Sequence, residues 1–151
     1  MVPMMPGPLR QSLSFGLVCA LLALLPVGVL LLGSPGGDWL FVLGGSPVAA
    51  FAAGAVSWRV VAGRTRGTSL GFGLLAGMLA GLGAHPLAWT LALPWLGDMR
   101  GAGKALQGVL LMSAVSALTL GWVTALLGGL GGLVMAWRLR HAAQPNPTPQ
   151  T

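Results

Sequence analysis

The chain has 151 residues, a mean hydropathy of +0.84, 55% hydrophobic residues and only 7% charged ones. A soluble domain carries about a quarter charged residues, so this composition excludes a fold that must cover itself with water-facing side chains and points to lipid as the solvent. The net charge of +6 does not point to nucleic acid, because the basic residues stand at the ends of apolar runs rather than along one stripe.

An N-terminal segment, residues 1–12, precedes the first apolar block and is expected on the cytoplasmic side. That block, about 13–32, has roughly the 20 residues needed to cross a hydrocarbon core. Arg10 before it raises the possibility of a signal peptide, but a signal core runs only about 7–15 residues and ends in an A-x-A-like site. Here the run is longer and is followed by Gly33, Ser34 and Pro35, so an uncleaved helix is expected, with Pro26 a point of kinking. Cys19, alone in this run, has no intrachain partner and no metal-binding spacing around it.

The second block, about 40–61, is interrupted by Gly44, Gly45, Ser46 and Pro47. Ser46 before Pro47 reads as an N-cap with proline in the first turn. Either the regular helix starts at Pro47, or Pro47 kinks a longer span.

The third block, about 70–96, and the fourth, about 106–137, amount to roughly 40 Å and 48 Å of helix at 1.5 Å per residue. Both exceed a core of about 30 Å, so tilt, a break or an interfacial extension must absorb the excess. The expected breaks are Gly83 to Pro86 in the third block and Gly128 to Gly132 in the fourth. The last segment, residues 138–151, is polar, carries Pro145, Pro147 and Pro149, and reads as a disordered cytoplasmic tail.

With four crossings, Arg10, Arg59, Arg64, Arg66, Arg138 and Arg140 fall on one side, and Arg100, Lys104, Asp38 and Asp98 on the other. That asymmetry puts both termini in the cytoplasm. Trp39 and Trp95 mark the outer interface and Trp58 and Trp137 the inner one, whereas Trp89 and Trp122 fit neither belt. The Trp58-Arg59 and Trp137-Arg138 pairs hint at a duplicated hairpin, although the internal spacings differ. The fold class is therefore all-α: a polytopic bundle of four transmembrane helices with Gly/Pro breaks, both ends inside.

Three features carry candidate chemistry or assembly. Gly73, Gly77 and Gly81 recur every fourth residue, as do Gly128 and Gly132. Small residues at that spacing let helices approach closely, either within one chain or between copies in a homo-oligomer. His85 is the one ionisable group of its block. At mid-membrane it is a candidate polar site by default, able to hold a metal, relay a proton or meet a ligand. Pro86, however, disfavours helical geometry at the preceding residue, and a helix ending at Ala84 would leave His85 at the outer interface. Arg59, Arg64 and Arg66 form a basic loop suited to orientation and to anionic lipid head groups, at about 1 kcal/mol per residue.

Ser57, Ser113 and Ser116 offer hydroxyls, but no local motif ties any of them to His85. Glutamate is absent, both aspartates fall in expected loops, and there is no Cys-x-x-Cys, P-loop or dinucleotide fingerprint. No enzyme, no cofactor, no metal and no nucleic-acid partner is expected. The expected function is that of a structural or accessory membrane protein packing through glycine faces, with itself or within a larger complex. The alternative is a small oligomeric transporter or pore with broken helices near Pro47 and His85-Pro86. The excess of Ala, Gly, Leu, Pro and Arg suggests a bacterial source, hence the inner membrane.

Overall fold

The computed structural model describes residues 7–33, 39–62, 69–95 and 101–142. Among them stand four helices and no strand: α1 (Pro8–Gly33), α2 (Trp39–Ala62), α3 (Leu70–Ala92) and α4 (Ala102–Ala142), with a short 3-10 turn, Leu93–Trp95, closing α3.

The helix starts follow from local chemistry. Pro8 occupies the first turn of α1, where its missing N–H is no loss, and Gln11 N–H bonds the Gly7 carbonyl at 3.1 Å. Ser69 is extended (φ −79°, ψ 148°) and its hydroxyl accepts the Phe72 N–H, which caps α3. Gly101, at φ +104°, opens α4 in a conformation that suits glycine.

The expected breaks are absent. Pro26, Pro47 and Pro86 all lie inside helices, and α4 runs unbroken for 41 residues through Gly128 to Gly132. Each proline removes one backbone hydrogen bond, whereas unwinding a turn in an apolar surrounding would expose several polar groups with no water to receive them. The helices therefore continue through the proline rather than stop at it. His85 consequently sits inside α3 and not at its end.

Three helices are long and apolar enough to cross a bilayer: Pro8–Val29, Leu70–Ala92 and Ala102–Ala142. Among the described residues α2 does not reach that standard, so four expected crossings become three supported ones.

The pairs Gly73 with Gly132, Gly77 with Gly128 and Gly81 with Thr124 face each other across α3 and α4, which makes the two helices antiparallel. α1 with α2 and α2 with α3 also pack as long neighbouring pairs. α4 meets α1 over a shorter stretch, where Gly131 faces Val18 and Leu22. The bundle is thus a ring whose α1–α4 seam is its lightest contact. Arg10, Arg59, Arg138 and Arg140 all fall at one end of this ring, and Lys104 at the other. Arg64, Arg66, Arg100 and both aspartates lie outside the described residues, as does the tail beyond Ala142.

Size, more than polarity, separates inside from outside. The buried positions are mostly small: Ala49, Ala50, Ala53, Ala76, Ala80, Ala125 and Ala136, with the paired glycines. The large side chains point away, Leu118 at 83% exposure and Val29 at 71% being examples. That is the expected order where lipid replaces water and close backbone packing drives association.

Candidate functional site

The centre of the bundle holds one polar network. His85 of α3 lies with Nδ1 3.0 Å from Ser116 Oγ and Nε2 3.0 Å from Thr124 Oγ1, both on α4. The hydroxyls stand about two turns apart on α4, so the ring spans the distance between them. Gly121 lies between: a Cβ there would come within 3.8 Å of His85 Nε2 and 3.5 Å of Leu82 Cδ2. A side chain larger than a methyl at 121 would take the space of the imidazole.

Trp89, one turn beyond His85 on α3, donates its indole N–H to Ser116 Oγ at 3.1 Å. The hydroxyls also reach backward to their own helix, Ser116 Oγ to Ser113 O at 3.2 Å and Thr124 Oγ1 to Gly121 O at 3.0 Å. Serine and threonine inside helices commonly bond carbonyls one turn back. Here that habit gives each hydroxyl two places for its proton, the ring nitrogen or the carbonyl. The network therefore accommodates either ring tautomer by hydroxyl rotation alone.

A cavity of about 310 Å³ adjoins this network. All four helices line it: Pro26 and Val27 of α1, Ser46 and Ala50 of α2, Ala88 of α3 and Leu120 of α4, with the four network residues as its main polar wall. Beyond Thr124 a smaller void of about 50 Å³ reaches Cys19 and Gly128.

Toward the arginine end the interior closes. Phe15, fully buried, and Trp58, 3% exposed, stack with ring centroids 4.6 Å apart. They join Ala76, Ala80, Ala136 and Leu139 in the main core cluster. Trp58, expected at the inner interface, is instead a core residue, and its indole N–H has no partner among the described residues. Trp137 is half exposed and stacks on His141 at that end. The side chains of Trp39 and Trp95 lie outside the described part of the structure.

The remaining candidate residues separate by role. Gly73, Gly77 and Gly81 pack on α4 of the same chain, against Gly132, Gly128 and Thr124. Their face is therefore covered without a second copy. Arg59 is exposed at the end of α2, apart from the polar network, and Arg64 and Arg66 lie outside the described residues. Sequence reading missed Thr124 and Trp89 as neighbours of His85. The antiparallel register that unites them is carried by the glycine contacts between α3 and α4, of which Gly81 against Thr124 lies one turn from His85. Chemically, a single imidazole flanked by neutral hydroxyls is not a metal-ligand set. Its second nitrogen faces a threonine hydroxyl where a Ser-His catalytic pair has its orienting carboxylate.

Comparison with protein-family models, with curated proteins and with solved structures gives no match for this chain.

Proposed function

We propose that this protein is a non-conducting, multi-pass membrane protein of structural or accessory type. Its four helices all cross the bilayer, both termini lie in the cytoplasm and its home is the bacterial inner membrane. The observation that carries the reading is the packing at the arginine end of the bundle, where the buried Phe15–Trp58 stack and the close glycine contacts between α3 and α4 fill the interior. Support for a fourth crossing comes from α2 itself, which packs lengthwise between α1 and α3. Support for the orientation comes from Arg10, Arg59, Arg138 and Arg140 at one end of the ring against Lys104 at the other. That basic end would rest among anionic lipid head groups. Any homo-oligomer or larger complex would use surfaces other than the α3 glycine face, which α4 already covers.

The pore reading rested on helices broken near Pro47 and His85-Pro86, and both helices are continuous. The test is flux through proteoliposomes loaded with potassium, protons or a small solute. No passage above protein-free vesicles is expected. Passage of any of them would replace this reading with a pore. Impermeant labelling of single cysteines should reach position 104 from outside and positions 10, 59 and 138 only from inside; the reverse pattern would overturn the orientation.

A further inference from the structure

We infer that the central cavity is a binding site for a small, uncharged amphiphile with a hydroxyl head, with Thr124 Oγ1 as the acceptor for that hydroxyl. This goes beyond the accessory reading and does not depend on it.

The hydrogen bonds of the network determine the head group. A neutral imidazole has one N–H and one bare nitrogen. With the proton on Nδ1, His85 donates to Ser116 Oγ, Ser116 donates to Ser113 O, and Thr124 donates to Nε2. With the proton on Nε2, His85 donates to Thr124 Oγ1, Thr124 donates to Gly121 O, and Ser116 donates to Nδ1. Trp89 donates to Ser116 in both. Every donor of the four residues is therefore used in either tautomer. Thr124 Oγ1, with two lone pairs, keeps at least one that no described residue engages. The network offers an acceptor and has no donor to spare, so it selects a ligand that brings an O–H and discriminates against one with only a carbonyl or ether oxygen. Ser46, which also lines the cavity on α2, stands outside the network and its hydroxyl can donate as well as accept, so the preference for an O–H ligand is a property of Thr124.

Charge and volume determine the rest. Among the described residues no charged side chain lines the cavity, and a charged head brought there would lose its hydration without a counter-ion. The walls away from the network are alanine, proline, valine and leucine, suited to a hydrocarbon body. The cavity, at about 310 Å³, holds about ten groups of water or methylene size at roughly 30 Å³ each. An eight-carbon alcohol fits that count, whereas a full lipid does not. The seam between α1 and α4, where contact is lightest, is the entry for a molecule already dissolved in the bilayer.

The experiment uses the full chain in phosphatidylcholine liposomes with a diazirine-bearing octanol as probe, light activation and mapping of the attachment sites by mass spectrometry. The expected result is saturable labelling within Ala23–Val27, Ala84–Trp89 and Ser116–Thr124. 1-Octanol should displace it at concentrations about fivefold lower than octane, 2-octanone or octanoate, the difference a single hydrogen bond makes. Thr124→Val, which keeps the shape and removes the oxygen, should weaken labelling about fivefold, and Thr124→Ser should retain it.

Labelling that never saturates, or that spreads over the lipid-facing leucines, would overturn the proposal. So would octane or 2-octanone competing as well as the alcohol, octanoate competing better, or Thr124→Val binding unchanged. Should Thr124→Val fail to fold, judged by its helicity, the competitor series on the unaltered chain still decides. Flux measured in the same liposomes separates the two proposals, since a chain that conducts and binds octanol fails only the accessory reading.

Discussion

Gly77 of α3 and Gly128 of α4 face each other so closely that a methyl group on either would strike the other's backbone carbonyl. Gly73 against Gly132 and Gly81 against Thr124 repeat the relationship one turn to either side. In a bilayer, where burying leucine against leucine gains little over leucine against lipid, this backbone approach is what draws two helices together.

Gly77→Ala and Gly128→Ala should therefore each destabilise the bundle by about 2 kcal/mol or more, since the overpacked atoms are backbone and cannot swing aside. Gly83→Ala is the control: its new methyl would lie 3.8 Å from Ala53 Cβ. There the gain in helix propensity, at most about 1 kcal/mol, should leave stability equal or slightly higher. Reversible unfolding in mixed micelles measures all three, and equal losses at 77 and 83 would contradict the packing account.

The His85 network should behave as a unit. Ser116→Ala leaves the Trp89 indole and one His85 nitrogen without their partner, while Thr124→Val leaves only the other His85 nitrogen without its side-chain partner. The expected losses are about 1–3 kcal/mol for Ser116→Ala and less for Thr124→Val. A double-mutant cycle between His85→Ala and Ser116→Ala should give a coupling of about 0.6 kcal/mol, and at most about 1.7 kcal/mol, as hydrogen bonds between membrane helices do. Additive losses would mean that the two residues do not interact.

Trp58 offers a test with the opposite sign. Its ring stacks on Phe15, but its indole N–H is buried without a partner among the described residues. Trp58→Phe keeps an aromatic ring and removes the stranded donor, whose burial costs about 1–3 kcal/mol. The variant should be as stable as the parent or more so, and Trp58→Ala should lose about 3–5 kcal/mol. A large loss for Trp58→Phe would show that the indole nitrogen has a partner after all.

Cys19 is 6% exposed, and its Sγ would lie 2.8 Å from a Cβ placed on Gly54. A maleimide should not react with the folded chain in membranes, and should react fully once the chain is denatured in hot SDS. Gly54→Ala should destabilise the α1–α2 pair, and Cys19→Ala should recover part of that loss because the sulfur is one of the atoms struck. Fast labelling of the native chain would place Cys19 on a mobile or open surface.

Much of the frame is legible in composition and order. Four apolar blocks give four helices because a chain with so few charges must satisfy its backbone internally. Arginines at block ends mark one end of the bundle because charge is tolerated only there. The Gly73, Gly77 and Gly81 repeat identifies a close-packing face, because only small residues admit a second backbone.

Tertiary structure decided the rest, and for one physical reason. In a bundle apolar on its inside and its outside alike, hydropathy carries no periodic signal telling one face of a helix from another. The sequence therefore could not place Trp58 in the core rather than at the interface. Nor could it decide whether Pro47 and Pro86 end their helices or are carried within them. Above all, it could not bring His85 to Ser116 and Thr124, 31 and 39 residues away. That meeting depends on the register in which the glycines of α3 settle against those of α4, a property of two helices together that neither contains alone.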